Sequence, residues 1–280
     1  MTLLLQVSDP HFGTERVPVV AALEALVREQ RPDALLLSGD ITQRATRAQF
    51  AAARAFVDRL QLPALVAVPG NHDIPLFNLA ARWLWPYARY ARAFGSQLEP
   101  QFECADVLVL GLNTTRRWRH VNGEVSAEQI ERVALRCEQA PAEQWRIVVV
   151  HQPVAVTRPQ DAHNLLRGRE AAVRRWSAAG VDVVLGGHIH LPFVLPLQQR
   201  WADLPRPIWA VQAGTAVSHR VRAEAGNSVN LLRINKGAAN PAWAGSTPAR
   251  ALQVERWDHS PAARRFECVA VHQLPGRHER

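Results

Sequence analysis

Lysine is nearly absent from this chain: it occurs once, at Lys236. Cysteine is scarce as well, present at Cys104, Cys137 and Cys268 and nowhere else. An odd number of widely spaced thiols excludes a disulfide framework and a Cys-x-x-Cys metal site, and it fits a reducing compartment. Long apolar runs are also missing, and none approaches the roughly 20 residues that a bilayer span requires. The first apolar run, Leu3-Leu4-Leu5-Gln6-Val7, has no basic segment before it and no small-residue cleavage site after it, so it does not read as a signal peptide. The expectation is a cytoplasmic protein without membrane association. No linker of shifted composition and no internal repeat divides the chain. It reads as one domain over residues 1–275 with a loose tail over 276–280.

What the chain has in excess is arginine. Lys and Arg total 33 against 25 Asp and Glu, a formal charge of +8. Such a surface suits anionic partners such as phosphates, nucleic acid or lipid headgroups. Arginine-rich composition raises the charge by itself, however, so the total selects no partner. Hydrophobic residues make up 48% of the chain, which places it among globular rather than disordered sequences. At 280 residues it can bury a large core.

The hydrophobic pattern alternates. Residues 3–7, 34–37 and 65–68 are short apolar runs read as buried strands. Residues 17–30 and 46–60 carry apolar stripes at helical spacing between them. This rhythm predicts parallel strands joined by crossover helices. Residues 74–98 are helical in composition, broken at Pro86, and read as a cap whose aromatics pack inward. Residues 102–104 and 107–112 predict two strands joined by a tight turn. Ser126 predicts the cap of a helix reaching about residue 138. Residues 145–150 and 181–185 are further strands, with a helix over 168–179 between them. Beyond residue 190 the helices stop. Residues 208–212, 228–234, 251–257 and 265–272 read as antiparallel strands of a second sheet, and 235–250 as a loop. The fold class expected is α/β: two sheets packed face to face with helices outside.

Polar residues collect just after the apolar runs. Ser8-Asp9-Pro10-His11 follows the first, Gly39-Asp40 the second and Gly70-Asn71-His72-Asp73 the third; His151 and Gly187-His188-Ile189-His190 follow two later ones. In parallel sheets, ligands bind beyond the carboxyl ends of the strands, where all of these fall. A lone His after a strand is usually structural. Asp9, His11, Asp40, Asn71, His72, His151, His188 and His190 behind five separate runs would leave several buried polar groups unsatisfied unless something joined them. The donors are carboxylate, imidazole and amide oxygen, without thiolate. This set suits catalytic Mn, Fe, Zn or Co rather than a structural Cys–zinc site. It is too large for one tetrahedral ion and suits two ions that share a carboxylate.

The order Asp9-x-His11, Gly39-Asp40, Gly70-Asn71-His72-Asp73, His151, Gly187-His188-x-His190 resembles that of the calcineurin-like metallophosphoesterases, with all five blocks present between residues 9 and 190. The resemblance implies a four-layer αββα sandwich and two divalent metal ions. It implies that Asp9, His11 and His190 bind one metal, that Asn71, His151 and His188 bind the other, and that Asp40 bridges them. His72 would face the substrate, as proton donor to the leaving oxygen or as stabiliser of the phosphoryl oxygens. Asp73 is expected to orient His72 or a neighbour, and Gly70 to allow a tight turn. The implied chemistry is hydrolysis of a phosphodiester by a hydroxide bridging the metals.

Within the family, Gly39-Asp40-Ile41-Thr42-Gln43-Arg44-Ala45 departs from the Gly-Asp-x-Val-Asp-Arg-Gly of phosphoprotein phosphatases. His72 stands where the lipid A pathway hydrolases carry Arg. The remaining pattern is most similar to the bacterial class III cyclic-nucleotide phosphodiesterases, which implies a small phosphodiester substrate such as a 3′,5′-cyclic nucleotide. A DNA nuclease of the same family is the alternative, with the basic, aromatic loop Arg116-Arg117-Trp118-Arg119-His120 as its holder of nucleic acid. A metal-free binding scaffold is a third reading, and it predicts eroded ligands. Arg44, Asn113 and the stretch from Gly214-Thr215 through Ser218-His219-Arg220, His219 above all, are candidates for the substrate rim.

Overall fold

The computed structural model describes residues 1–235 and 251–276. Lys236, the rest of the expected 235–250 loop and the last four residues of the expected tail lie outside the described residues.

The chain opens β1 (Thr2–Val7), α1 (Val17–Gln30), β2 (Ala34–Ser38), α2 (Arg47–Leu60), β3 (Ala64–Val68). This is the expected parallel alternation: Leu5 lies opposite Leu35 on β2, and Leu35 opposite Leu65 on β3. Thr46 caps α2, accepting from the Gln49 amide, while the Gln49 side chain accepts in return from the Thr46 amide. The broken helix over 74–98 resolves into α3 (Leu79–Leu84) and α4 (Ala88–Phe94). Its aromatics divide. Tyr90 is buried, with Phe94 packed beside it, whereas Phe77, Trp83 and Trp85 are exposed, which corrects the expectation that all pack inward. The remaining elements are β4 (Gln101–Glu103), β5 (Val107–Gly111), α5 (Ala127–Glu138), β6 (Trp145–Val149), α6 (Arg169–Ala179), β7 (Val183–Gly186), β8 (Phe193–Pro196), β9 (Trp209–Gln212), β10 (Ser228–Asn235), β11 (Ala251–Ser260) and β12 (Arg265–Pro275).

Two six-stranded sheets result, in the orders β12-β11-β10-β1-β2-β3 and β4-β5-β6-β7-β9-β8. The late strands do not form a second sheet of their own, as their spacing suggested. β10 pairs antiparallel with β1, and β11 and β12 extend that same sheet. β9 runs parallel to β7 in the other sheet, and the short β8, unread in the sequence, closes its edge. Loss of intervening helices announces strands; it does not say which older strand a new one will join.

The inner faces meet in an apolar layer that includes Leu4, Leu36 and Val66 from one sheet and Val109, Ile147 and Leu185 from the other. α1 and α2 cover the outer face of the first sheet, and α5 and α6 that of the second. Each layer buries one face of a sheet, and that burial, at roughly 25 cal/mol per Å² of apolar surface, drives the sandwich together. No described helix is long and apolar enough to cross a membrane.

Candidate metal centre

The apolar layer ends in a polar seam. Gln6, at the end of β1, donates to Ser38 Oγ (3.2 Å) and to the Gly186 carbonyl (3.0 Å), so a buried amide ties β2 in one sheet to β7 in the other. Just past it, the ends of β1, β2, β3, β6 and β7 release the residues singled out in the sequence.

Two three-residue groups form there, Asp9 with His11 and His190, and Asp40 with His151 and His188, the donor atoms of each within 4.8 Å of one another. In the first, Asp9 Oδ1 lies 3.2 Å from His190 Nε2, and His11 Nε2 lies 3.1 Å from His190 Nε2. In the second, His151 Nε2 lies 3.3 Å from Asp40 Oδ1, 3.3 Å from His188 Nδ1 and 3.2 Å from Asn71 Oδ1. Asp40 faces both groups: its Oδ1 is turned to His151, and its Oδ2 lies 3.8 Å from His11 Nε2. All eight polar residues predicted from the strand ends therefore converge, with His72 Nε2 4.0 Å from Asp40 Oδ2.

The backbone is strained to achieve this. Nine described non-glycine residues have positive φ, and five of them are Asp9, His11, Asp40, His188 and His190. Left-handed backbone costs an L-residue about 1–2 kcal/mol, so its concentration here marks a functional site rather than packing. Gly70 is extended, at φ −99°; its role is not the tight turn expected of it but space, because a Cβ there would overlap the Asp40 amide and carboxylate. Asp73 does not orient His72. Its carboxylate accepts from the amides of Gly70 (2.9 Å), Ile41 (3.0 Å) and Thr42 (2.8 Å) and from Thr42 Oγ1 (2.8 Å), clamping the Asp40 loop to the β3 loop. Burial, with Asp40 nearby, pushes the Asp73 carboxyl up to about 6 against those donors.

The charges form a site shaped for cations. Burial alone would raise the carboxyls of Asp9 and Asp40, yet His190 holds Asp9 well below the usual range and His151 does the same for Asp40. In return, Asp40 overcomes burial to raise His151 to about 9, and Asp9 raises His190. Burial lowers His11 and His188 to about 3, leaving neutral imidazoles. Asp9 Oδ1 is buried, aimed between the His11 and His190 imidazoles, and meets His190 Nε2 only in a contact of poor hydrogen-bond geometry at 3.2 Å; a cation between these three groups would satisfy it better. The residues fit divalent metal ions.

Backing groups orient the rings. His151 Nδ1 donates to the Ser38 carbonyl (2.9 Å) and His190 Nδ1 to the Arg220 carbonyl (2.6 Å), turning both Nε2 atoms inward. His188 is reversed, with Nδ1 inward and Nε2 3.2 Å from Asn164 Oδ1. Asn164 ends a 3₁₀ turn (Pro159–Asn164) in what reads from sequence as a plain polar loop.

The substrate-rim candidates make local contacts. Arg44 is exposed and stacks its guanidinium over Phe77 at 5.2 Å. Asn113 holds a turn, its Oδ1 accepting from the Thr115 amide and hydroxyl. The His219 side chain is exposed; its neighbour Arg220 reaches inward instead, Nη1 3.3 Å from His72 Nε2. The arginines of the 116–120 loop are engaged within the protein: Arg116 with Gln129, Arg117 with the carbonyl and ring of Trp83, Arg119 with Glu124.

Comparison with known proteins agrees with this geometry. A profile described as calcineurin-like phosphoesterase matches residues 2–192. A probable cyclic nucleotide phosphodiesterase of Synechococcus sp. is 27% identical over 211 residues, covering 69% of this chain and 76% of that protein. Among solved structures, a dimetal phosphatase from Danio rerio superposes with a TM-score of 0.67 at 14% identity, covering 99% of both chains. The purple acid phosphatase PPD1 from yellow lupin seeds superposes with a TM-score of 0.68 at 12% identity, covering 98% of this chain and 53% of its own. These two share the fold.

Proposed function

The chain belongs to the calcineurin-like phosphoesterase family, and from that premise we propose that it is a hydrolase of phosphodiesters working with two divalent metal ions. Asp9, His11 and His190 would hold one ion and Asn71, His151 and His188 the other, with Asp40 shared between them. Bound there, the ions supply an acidified water nucleophile and neutralise charge on the phosphoryl oxygens.

The observation that carries the reading is Asp40, whose two carboxylate oxygens face two separate groups of donors. The chain's own residues do the rest. The His72 amide donates to Asp40 Oδ1 (2.8 Å), fixing the shared carboxylate, and places the His72 ring on the open side of the centre. Neutral His11 and His188 offer lone pairs without first losing a proton. The seam's burial keeps water away from all but that open side and strengthens each electrostatic contact.

The finer reading is a small diester such as a 3′,5′-cyclic nucleotide, supported by the Synechococcus relative's description. The engaged arginines of the 116–120 loop weigh against a strand of nucleic acid as substrate. The test strips the protein of metal with a chelator, restores Mn²⁺ and measures hydrolysis of bis-p-nitrophenyl phosphate, then of cAMP. Metal-dependent turnover that drops by about 10³-fold or more in Asp40→Ala is expected. Turnover indifferent to both chelation and the substitution would overturn the proposal; cAMP hydrolysis no better than that of the generic diester would remove the cyclic nucleotide.

A further inference from the structure

We propose that Arg220 is a phosphoryl-oxygen subsite beside the metal centre, matched to the charge that develops in the transition state. The inference rests on the phosphodiester reading and names a group within it that the sequence motifs do not contain.

Arg220 is held at both ends. Its amide donates to Ser218 Oγ (2.8 Å), and its carbonyl accepts from His190 Nδ1 (2.6 Å), so its main chain backs a candidate ligand. Its side chain crosses to the other side of the centre, where Nη1 meets Gln43 Oε1 (3.1 Å) and His72 Nε2 (3.3 Å). Gln43 also fixes His72, its carbonyl lying 2.9 Å from His72 Nδ1.

A guanidinium has only donors, and the Gln43 carbonyl only accepts, so His72 Nδ1 donates to Gln43 while its Nε2 edge faces the Arg220 fork. Gln43 and His72 together hold that fork beside the centre, where it can meet a phosphoryl oxygen.

Both contacts engage Nη1, and among the described residues no hydrogen bond engages Nη2 or Nε. Arg220 is half-buried, and among the described residues it makes no ion pair. Arg222, two residues on, is paired with Asp161 and Glu224. A partly desolvated cation without a counter-ion, set beside a centre for phosphate, is a site for an anion.

The chemistry says when that anion is bound best. A diester carries one negative charge. Hydroxide forms a bond to phosphorus while the bond from phosphorus to the leaving oxygen breaks, its electron pair goes to that oxygen, and the oxygen takes a proton from water. In the five-coordinate transition state the attacking oxygen, the phosphoryl group and the leaving oxygen share two negative charges, one more than the bound diester brings. Arg220 gains most at that point, so it raises kcat more than it lowers KM.

The test uses the full chain loaded with Mn²⁺. Arg220→Ala keeps the main-chain carbonyl that backs His190, so bound metal should match wild type. With bis-p-nitrophenyl phosphate, kcat should fall about 10²-fold with KM little changed. In equilibrium dialysis, inorganic phosphate should bind roughly tenfold more weakly. Arg220→Lys should restore part of both, since it keeps the charge but not the fork. Unchanged phosphate affinity in Arg220→Ala would overturn the proposal, and so would loss of metal, which would make the residue structural. If the wild-type protein turns over no diester, the functional reading fails, and the phosphate titration alone still decides whether Arg220 binds the anion.

Discussion

The two groups of ligands share a chemistry and differ in how the protein supports them. Left-handed backbone runs through both, at Asp9, His11 and His190 (φ 49°, 45° and 55°) in one and at Asp40 and His188 (48° and 71°) in the other. In the first, His11 Nδ1 is buried without a hydrogen-bond partner and Asp9 Oδ1 has only its 3.2 Å contact with His190. Around Asp40, His151 and His188 the bracing is fuller: Ser38 and Asn164 hold the rings, the His72 amide holds Asp40, and Asp73 clamps the loop that carries it. One half of the centre is finished by protein, and the other is left for the ion to finish. The lesson is that removing metal should unsettle the first group more than the second.

The sharpest way to break the comparison is at Asp9. Its Oδ2 accepts from the His188 amide (2.9 Å) and Ser8 Oγ (2.6 Å), so it also anchors the second group. We expect Asp9→Ala to lose both ions and to drop turnover by about 10³-fold or more, whereas His188→Ala should retain the ion at the first group. Elemental analysis of the two variants checks this; equal metal content would remove the asymmetry.

Next in size is the clamp. Asp73→Ala leaves three buried amides without an acceptor, and we expect a loss of roughly 3 kcal/mol in urea unfolding. A loss under 1 kcal/mol would mean that the Asp40 loop needs no brace. Smaller again is Asn164→Ala, which removes the partner of His188 Nε2. Metal affinity at one site should weaken by about 10–100-fold while the other site is spared, read by isothermal titration as a split between two previously similar binding steps.

The mildest effect is of pH on the metal-free protein. His151, raised to about 9, contributes stability that is full below its ordinary 6.5 and lost as pH rises through about 9. His11 and His188, lowered to about 3, act in the opposite sense and cost stability as pH falls below 6.5. Thermal unfolding in chelator should therefore give a maximum near pH 6.5. With metal bound the His151 proton is displaced, and the alkaline fall should disappear; a fall of equal size with and without metal would contradict the assignment.

Much of this centre can be read in the chain because its residues follow apolar runs: one polar residue at a strand end is usually structural, but eight of them behind five runs are hard to satisfy without a shared partner. Asp9, His11, Asp40, Asn71, His151, His188 and His190 all announce themselves in that way. What escapes is whatever depends on a distant partner. Asn164 looks like any loop asparagine until His188 is placed against it. The stretch Ser218-His219-Arg220 reads as rim, but within it His219 has the more suggestive side chain, and only the contact with His72 singles out Arg220. Strand pairing escapes for the same reason: β10 carries the pattern of a strand, but nothing local says that its neighbour is β1, at the other end of the chain. Asp73 reads as part of the motif, while its work lies in three amides of another loop.

That pairing of β1 with β10 also governs how the molecule comes into being. Asp9 and His11 directly follow β1, yet β1 gains one of its two neighbours only from residues 228–235, and the Asp9 carbonyl is held by Thr215 Oγ1 (2.6 Å). These two candidate ligands are therefore pinned only by segments far along the chain. Contacts of such long sequence separation slow folding, so the pocket between Asp9 and its distant partners is expected to close late, after the β-α-β units have formed.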